Sequence, residues 1–153
     1  NDLYHKGGIT QIQFSPCGNY LYSGARIDSQ IICWDVRTNK AMFAMERKVT
    51  TNQRIQFDID AAGEYLVTGS ENGQFIVFDL KEQGKEKSRY TLNTLYAVNG
   101  AAIHPYIPAI AFASGDRRLE MPEQEKQQDE ALDARYPAVY VFKAKQKHNS
   151  MVE

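Results

Sequence analysis

A unit of about 45 residues recurs along this sequence, and it predicts an all-β fold of the β-propeller class. Three observations carry that prediction. First, "ITQIQFSPCGNYLYSG" (9–24) lies over "IQFDIDAAGEYLVTG" (55–69). At an offset of 45, Ile12 meets Phe57, Phe14 meets Ile59, and Gly18, Tyr20 and Gly24 meet Gly63, Tyr65 and Gly69. Second, the segments that follow also correspond: "QIICWD" (30–35) with "QFIVFD" (74–79). Third, a weaker copy runs through "VNGAAIHPYIPAIAFASG" (98–115) and "PAVYVF" (137–142). Each copy divides into short apolar runs separated by turn residues, and four short strands in such a length make one propeller blade.

In the first copy the strands fall at 9–14, 20–24, 30–35 and 40–45, with "SPCG", "ARIDS" and "VRTN" as turns. In the second, Ile55, Phe57 and Ile59 are the inward residues of the innermost strand, approached through the polar stretch "VTTNQR" (49–54). The third copy is interrupted at 116–136 by seven acidic and four basic residues with almost no aromatics. That composition cannot bury itself and predicts a mobile acidic loop, in which a short helix over 123–135 would be marginal. After Phe142 no apolar alternation continues, so 144–153 reads as a charged tail. The expected units are therefore 1–47, 48–92 and 93–143, with eleven strands and a final unit missing its outer strand. Three blades cannot close, so the expectation is about three blades of a larger, seven-bladed ring, unstable alone and with bare outer faces. A start at Asn1 and no Met before Met42 fit a piece of something longer.

The net charge of −1 over 153 residues gives no overall pull toward nucleic acid or membrane, and 42% hydrophobic residues suffice for a core. The distribution is uneven: residues 1–57 hold seven Lys/Arg against four Asp/Glu, the rest eleven against fifteen. A local basic surface is compatible with the neutral total. Cys17 and Cys33 form no Cys-x-x-Cys pair and read as structural thiols of a reducing compartment. With no sequon, secretory segment or long apolar run, the expectation is a soluble, intracellular protein without a membrane partner. Ser15, His5 and Asp28 could be written as a triad, but no nucleophile elbow accompanies them. His5, His104 and His148 are scattered without metal-ligand spacing, and no phosphate-binding glycine motif occurs. The sequence predicts a non-enzyme without metal or cofactor.

Gly24, the pair Trp34-Asp35 and "FSPCG" resemble a WD-repeat blade, and His5 lies nine residues ahead of Phe14 as the loop histidine of such blades does. The resemblance implies a hydrogen-bonded chain of His5, Ser23, Asp28 and Trp34, which gives four buried polar groups partners at once. The second copy has Thr50, Thr68, Asn72 and Phe78 at those places and the third has lost them, so only the first blade is expected to carry the network.

In a WD propeller the loop entering the first strand and the turn between the second and third open on one face. That face would gather Arg26 and Asp28, Glu71 and Asn72, and the loop from Lys48 to Arg54, with Arg47 beside it. Arg and Lys hold phosphates, while Asn, Gln and Thr read base edges or sugar hydroxyls. The plain alternative is a solvated polar loop. "VTTNQRI" followed by "FD", with "GGIT", "SGARIDSQIICWD" and "HPYIPAIAFASG", resembles the telomerase Cajal body protein family over about residues 1–115. That resemblance implies a non-catalytic propeller that binds the terminal-loop box of small Cajal-body RNAs. It further implies the same element of telomerase RNA as a ligand, the proteins of these RNPs as partners, and a nuclear, Cajal-body location with a cytoplasmic pool. Arg26, Lys48, Thr51, Asn52 and Arg54 are the candidate RNA contacts, chosen by geometry and chemistry. The alternative function is a WD-repeat protein-interaction scaffold without RNA.

Overall fold

A computed structural model describes residues 3–115 and 137–143. The acidic segment 116–136 and the tail 144–153, for which the sequence predicts a mobile loop and a charged extension, lie outside the described residues. Eleven strands form three antiparallel sheets among the described residues. The first sheet runs β1 (Ile9–Phe14), β2 (Tyr20–Ala25), β3 (Gln30–Asp35) and β4 (Lys40–Glu46) in that spatial order. The second runs β5 (Phe57–Ile59), β6 (Tyr65–Gly69), β7 (Gln74–Asp79) and β8 (Lys85–Thr91) in the same way. The third has the order β11 (Ala138–Lys143), β10 (Ala109–Ser114) and β9 (Val98–Ile103).

Local chemistry repeats with the sequence. The turns after β1 and β5 are closed alike: Gly18 N donates to Ser15 O and Gly63 N to Asp60 O, each at 2.9 Å. Both glycines have positive φ, at 73° and 69°, where a Cβ would be strained. The side chains of Ser15 and Asp60 then accept from the N–H groups of Tyr20 and Tyr65, at 3.1 and 2.8 Å. The repeat also extends to a register shift that composition does not reveal. The β3–β4 ladder slips between Cys33 and Trp34, and β7–β8 slips between Val77 and Phe78.

The sheets stack face to face, and the middle one is apolar on both sides. Phe57, Ile59, Leu66, Ile76 and Phe78 pack against Tyr22, Ile31, Cys33 and Met45 of the first sheet. The alternate residues Val67 and Phe75 pack on Val98 and Phe112 of the third, the Phe75 and Phe112 rings stacking with centroids 4.1 Å apart. Strict alternation sends neighbouring residues to opposite faces, so a strand covered on both faces must be apolar throughout, as "LVTG" and "FIVF" nearly are. The outer sheets are covered once. Ile12 is 63% exposed where its counterpart Phe57 is 2%, and Phe14 is 59% where Ile59 is 8%. Val139 and Val141 lie bare on the far side of the third sheet. The fold is thus a partial propeller, as the sequence predicts.

Close approach between sheets demands glycine at one place in particular. A Cβ on Gly69 would sit 1.8 Å from the carbonyl oxygen of Val98, on the neighbouring sheet's backbone. We expect Gly69→Ala to push the second and third sheets apart and to destabilise the full-length protein by about 3 kcal/mol in denaturant titration. Gly8→Ala, where a Cβ meets nothing within 4 Å, should change stability by under about 0.5 kcal/mol. Equal effects of the two substitutions would contradict this packing.

Candidate functional site

The loops entering the first strand of each sheet and the turns between second and third strands gather at one end of the stack, because Ile9 pairs with Ala25 and Gln30 with Glu46. In the first sheet this end is tied by a side-chain chain. His5 Nδ1 lies 2.8 Å from Asp28 Oδ2, His5 Nε2 lies 2.7 Å from Ser23 Oγ, and Trp34 Nε1 donates to Ser23 Oγ at 2.7 Å. A single tautomer satisfies every member: Trp34 N–H to Ser23, Ser23 O–H to His5 Nε2, and His5 Nδ1–H to the Asp28 carboxylate. Asp28 also accepts from the backbone N–H groups of Lys6 and Gln30, at 2.9 and 3.0 Å. Burial alone would raise the Asp28 carboxyl; the hydrogen bonds from His5, Lys6 and Gln30 outweigh it and hold it below its ordinary value.

The second sheet, with Thr50 in the histidine position, uses another device. Arg47 is 3% exposed, and its Nη1 donates to Ile55 O at 2.9 Å and to Thr68 Oγ1 at 2.7 Å. Its guanidinium thus reaches the residue aligned with Ser23 and clasps the far end of the loop that Arg47 itself begins. Space comes from Gly24, whose missing Cβ would lie 3.1 Å from Arg47 Nη2. Burial pulls the guanidinium down to about 10, only partly offset by the Asp28 charge, so it stays a cation at neutral pH. Among the described residues its Nε and Nη2 have no hydrogen-bond partner, which makes this a costly residue to bury. Sequence places Arg47 among the cations of the open face; in the structure it is interior and holds the loop.

Three sheets anchor this loop. Arg47 N and Val49 N donate to Ser29 O and Oγ, and Ile27 N donates to Thr51 O at 3.2 Å, all ties to the first sheet. Thr50 N and Oγ1 donate to the Glu71 carboxylate at 2.5 and 2.9 Å, and Glu71 N donates to Lys48 O at 2.9 Å. Burial would raise Glu71, but the Thr50 donors and nearby Lys48 leave it lowered and ionised. On the third side Gln53 Nε2 donates to Gly115 O at 2.8 Å, and Gln56 N to Asn99 O at 2.9 Å.

The candidate contacts divide under this geometry. Arg26, Asn52 and Arg54 are exposed, and their side chains make no hydrogen bond or ion pair among the described residues. Thr51 is exposed, but its hydroxyl accepts from Gln53 N at 3.4 Å. Lys48 is exposed with its Nζ 3.8 Å from Glu71, so its charge is partly matched. Lys6 was missed by sequence reasoning: exposed, its side chain unpaired among the described residues, on the loop stitched to the Arg26 turn by Arg26 N to Gly8 O at 3.1 Å. The offset of 45 that aligns it with Thr51 was the available signal. Among the described residues no three His, Cys, Asp or Glu side chains converge as a metal would require.

Fold and repeat define a WD-repeat protein: the WD domain, G-beta repeat family matches residues 3–35. The solved structure of U3-55K superposes with a TM-score of 0.61 at 19% identity, over 72% of this chain and 34% of that one, a likeness of fold. The resemblance to the telomerase Cajal body protein family is borne out by sequence comparison. Human telomerase Cajal body protein 1 is 41% identical over 133 residues, which are 84% of this chain and 24% of the human protein. The Drosophila melanogaster homolog is 41% identical over 115 residues, 72% of this chain and 21% of its own length. The chain spans about a quarter of the curated relatives it matches.

Three outcomes test the anchoring. Trp34→Phe, which removes one donor, should cost about 1 kcal/mol, whereas His5→Ala strands both Ser23 and Asp28 and should cost about 3 kcal/mol. Because Asp28 is lowered in the fold, its stabilisation is present above the ordinary value of 3.8 and is lost as pH falls through the lower folded value. Asp28→Asn should therefore flatten the acid limb of the stability profile. Arg47→Ala should speed amide exchange at residues 50–55 on the order of tenfold, by opening the loop locally. Unchanged exchange there would remove Arg47 as the clasp.

Proposed function

We propose that this chain is part of a non-catalytic RNA-binding propeller of a small nuclear RNP. It recognises the terminal loop of small Cajal-body RNAs, with telomerase RNA as a further ligand, and directs these RNPs to Cajal bodies in the nucleus. One observation carries the reading: the loop 48–54 is tied to three sheets, by its backbone to the first two and by the Gln53 side chain to the third, while Arg26, Asn52 and Arg54 are exposed and their side chains unpaired among the described residues. Two guanidinium groups are suited to phosphates, and the Asn52 amide offers a donor and an acceptor to a base edge. The names of the relatives, which join telomerase and the Cajal body, support the same reading. Arg26 and Arg54 hold phosphates, Asn52 reads a base, Thr51 shapes the loop, and Lys48 contributes charge once a phosphate competes with Glu71.

RNA crosslinked to the full-length protein in cells should contain small Cajal-body RNAs, and recovery of none would favour a protein-interaction scaffold. In vitro, Arg54→Ala should weaken binding of a Cajal-body RNA hairpin and reduce the salt dependence by about one counterion. Asn52→Ala should instead relax discrimination between loop sequences while leaving the salt slope unchanged. Arg54→Ala with parental affinity and slope would count directly against the site.

A further inference from the structure

We infer that Ile27 is a ligand-contact residue of this same face, an apolar wedge against which a base of single-stranded RNA packs; the inference rests on the RNA-binding reading above. Ile27 has φ 51°, in the left-handed region that a β-branched residue rarely enters. The other non-glycine residues with positive φ among those described are Asn39 and Gln83, neither of them β-branched. At the matching turn of the second sheet, between β6 and β7, the positive φ falls two places later, on Gly73, and Glu71, aligned with Ile27, has none. The first sheet instead holds a stiff apolar side chain at a left-handed position inside its turn.

Surrounding bonds force the conformation. Arg26 N donates to Gly8 O, Ile27 N donates to Thr51 O at 3.2 Å, and Asp28 is fixed by His5, Lys6 N and Gln30 N. Strain of this kind persists only where neighbours over-determine the backbone, and such positions collect at ligand sites. Burial stabilises the side chain little, since it is 56% exposed. Its backbone is bonded to the loop 48–54, so it stands between Arg26 and the segment carrying Asn52 and Arg54. A short unpaired RNA needs an apolar surface for a base besides cations for phosphates. Apolar wedges serve as such surfaces in nucleic-acid binders. Of the exposed Tyr4, Ile27 and Leu95 on the loops of this end, Ile27 is the one whose backbone is bonded to the loop 48–54 among the described residues.

The test uses the full-length protein with Ile27→Asn and Ile27→Leu, and a synthetic hairpin RNA carrying the terminal loop of a small Cajal-body RNA. Asn tolerates the left-handed backbone, so Ile27→Asn should melt no lower than the parent. It should bind the hairpin on the order of tenfold more weakly, with the salt slope unchanged because no phosphate contact is lost. Ile27→Leu, which keeps an apolar side chain, should retain most of the affinity. Parental affinity in Ile27→Asn overturns the wedge and leaves the RNA reading intact. A lowered melting temperature accompanying the affinity loss overturns it too, since the turn itself would then have collapsed. Failure of the parent protein to bind the hairpin overturns both.

Discussion

A guanidinium buried between the first two sheets holds the candidate site in shape. Arg47 begins the loop, and through Ile55 O it also fixes the loop's end, so a single side chain closes a span of nine residues. Bonding Thr68 ties that closure to the middle of the second sheet. The arrangement is costly, because among the described residues Nε and Nη2 find no partners. An apolar residue of similar length would remove that cost, as is commonly found for buried ions. It would also leave Ile55 O without its donor and the loop free to open. The charge is therefore better understood as fixing conformation than as adding stability.

The first and second sheets solve one problem in two ways. Each must attach an entering loop to its second strand beneath a turn. In the first, His5 does so by reaching Ser23 and Asp28, and Trp34 completes the chain from the third strand. In the second, the strand residue has become Thr68, the donor comes from Arg47 at the loop's base, and Glu71 takes up Thr50 from above. The two devices leave different surfaces. The histidine device ends in Gly7-Gly8, pressed so closely on the turn that a Cβ at Gly7 would lie 1.8 Å from Arg26 O. The arginine device works from below and leaves room above it for Asn52, Gln53 and Arg54. The polar side chains of this loop face outward while its anchor lies beneath them.

Most of the fold was legible because burial writes a period into the sequence. The middle strands of the second sheet, β6 and β7, are apolar on both faces and read as strands, while paired glycines and aromatics set the repeat at 45. Ile55 shows the limit of that signal: it alternates with Phe57 and Ile59 and is buried, yet β5 begins only at Phe57. Arg47 shows a deeper limit. A cation next to Lys48 reads as surface by composition, and only the space left by Gly24 and the acceptors on Ile55 and Thr68 make an interior place for it. Ile27 was silent for the opposite reason. An isoleucine in a turn looks like ordinary apolar content, and its significance lies in a backbone angle that the sequence does not state.

The separation of backbone and side-chain roles bears on how such a face would treat RNA. A flexible basic loop could contact phosphates, but ordering it on binding would consume much of the interaction energy, roughly 1–2 kcal/mol for each residue fixed. Here the backbone of 48–56 is already ordered by bonds to Ser29, Glu71, Asn99 and Gly115, and by the Arg47 clasp. What remains to be ordered is the side chains of Arg26, Asn52 and Arg54. Such a face loses little on binding a short unpaired segment, and it can discriminate, because donors on a fixed frame meet only those base edges whose acceptors are in register. For RNA bound to these 153 residues a net charge near zero would then be an advantage: long-range attraction to any polyanion would be weak, and affinity would have to come from the local fit.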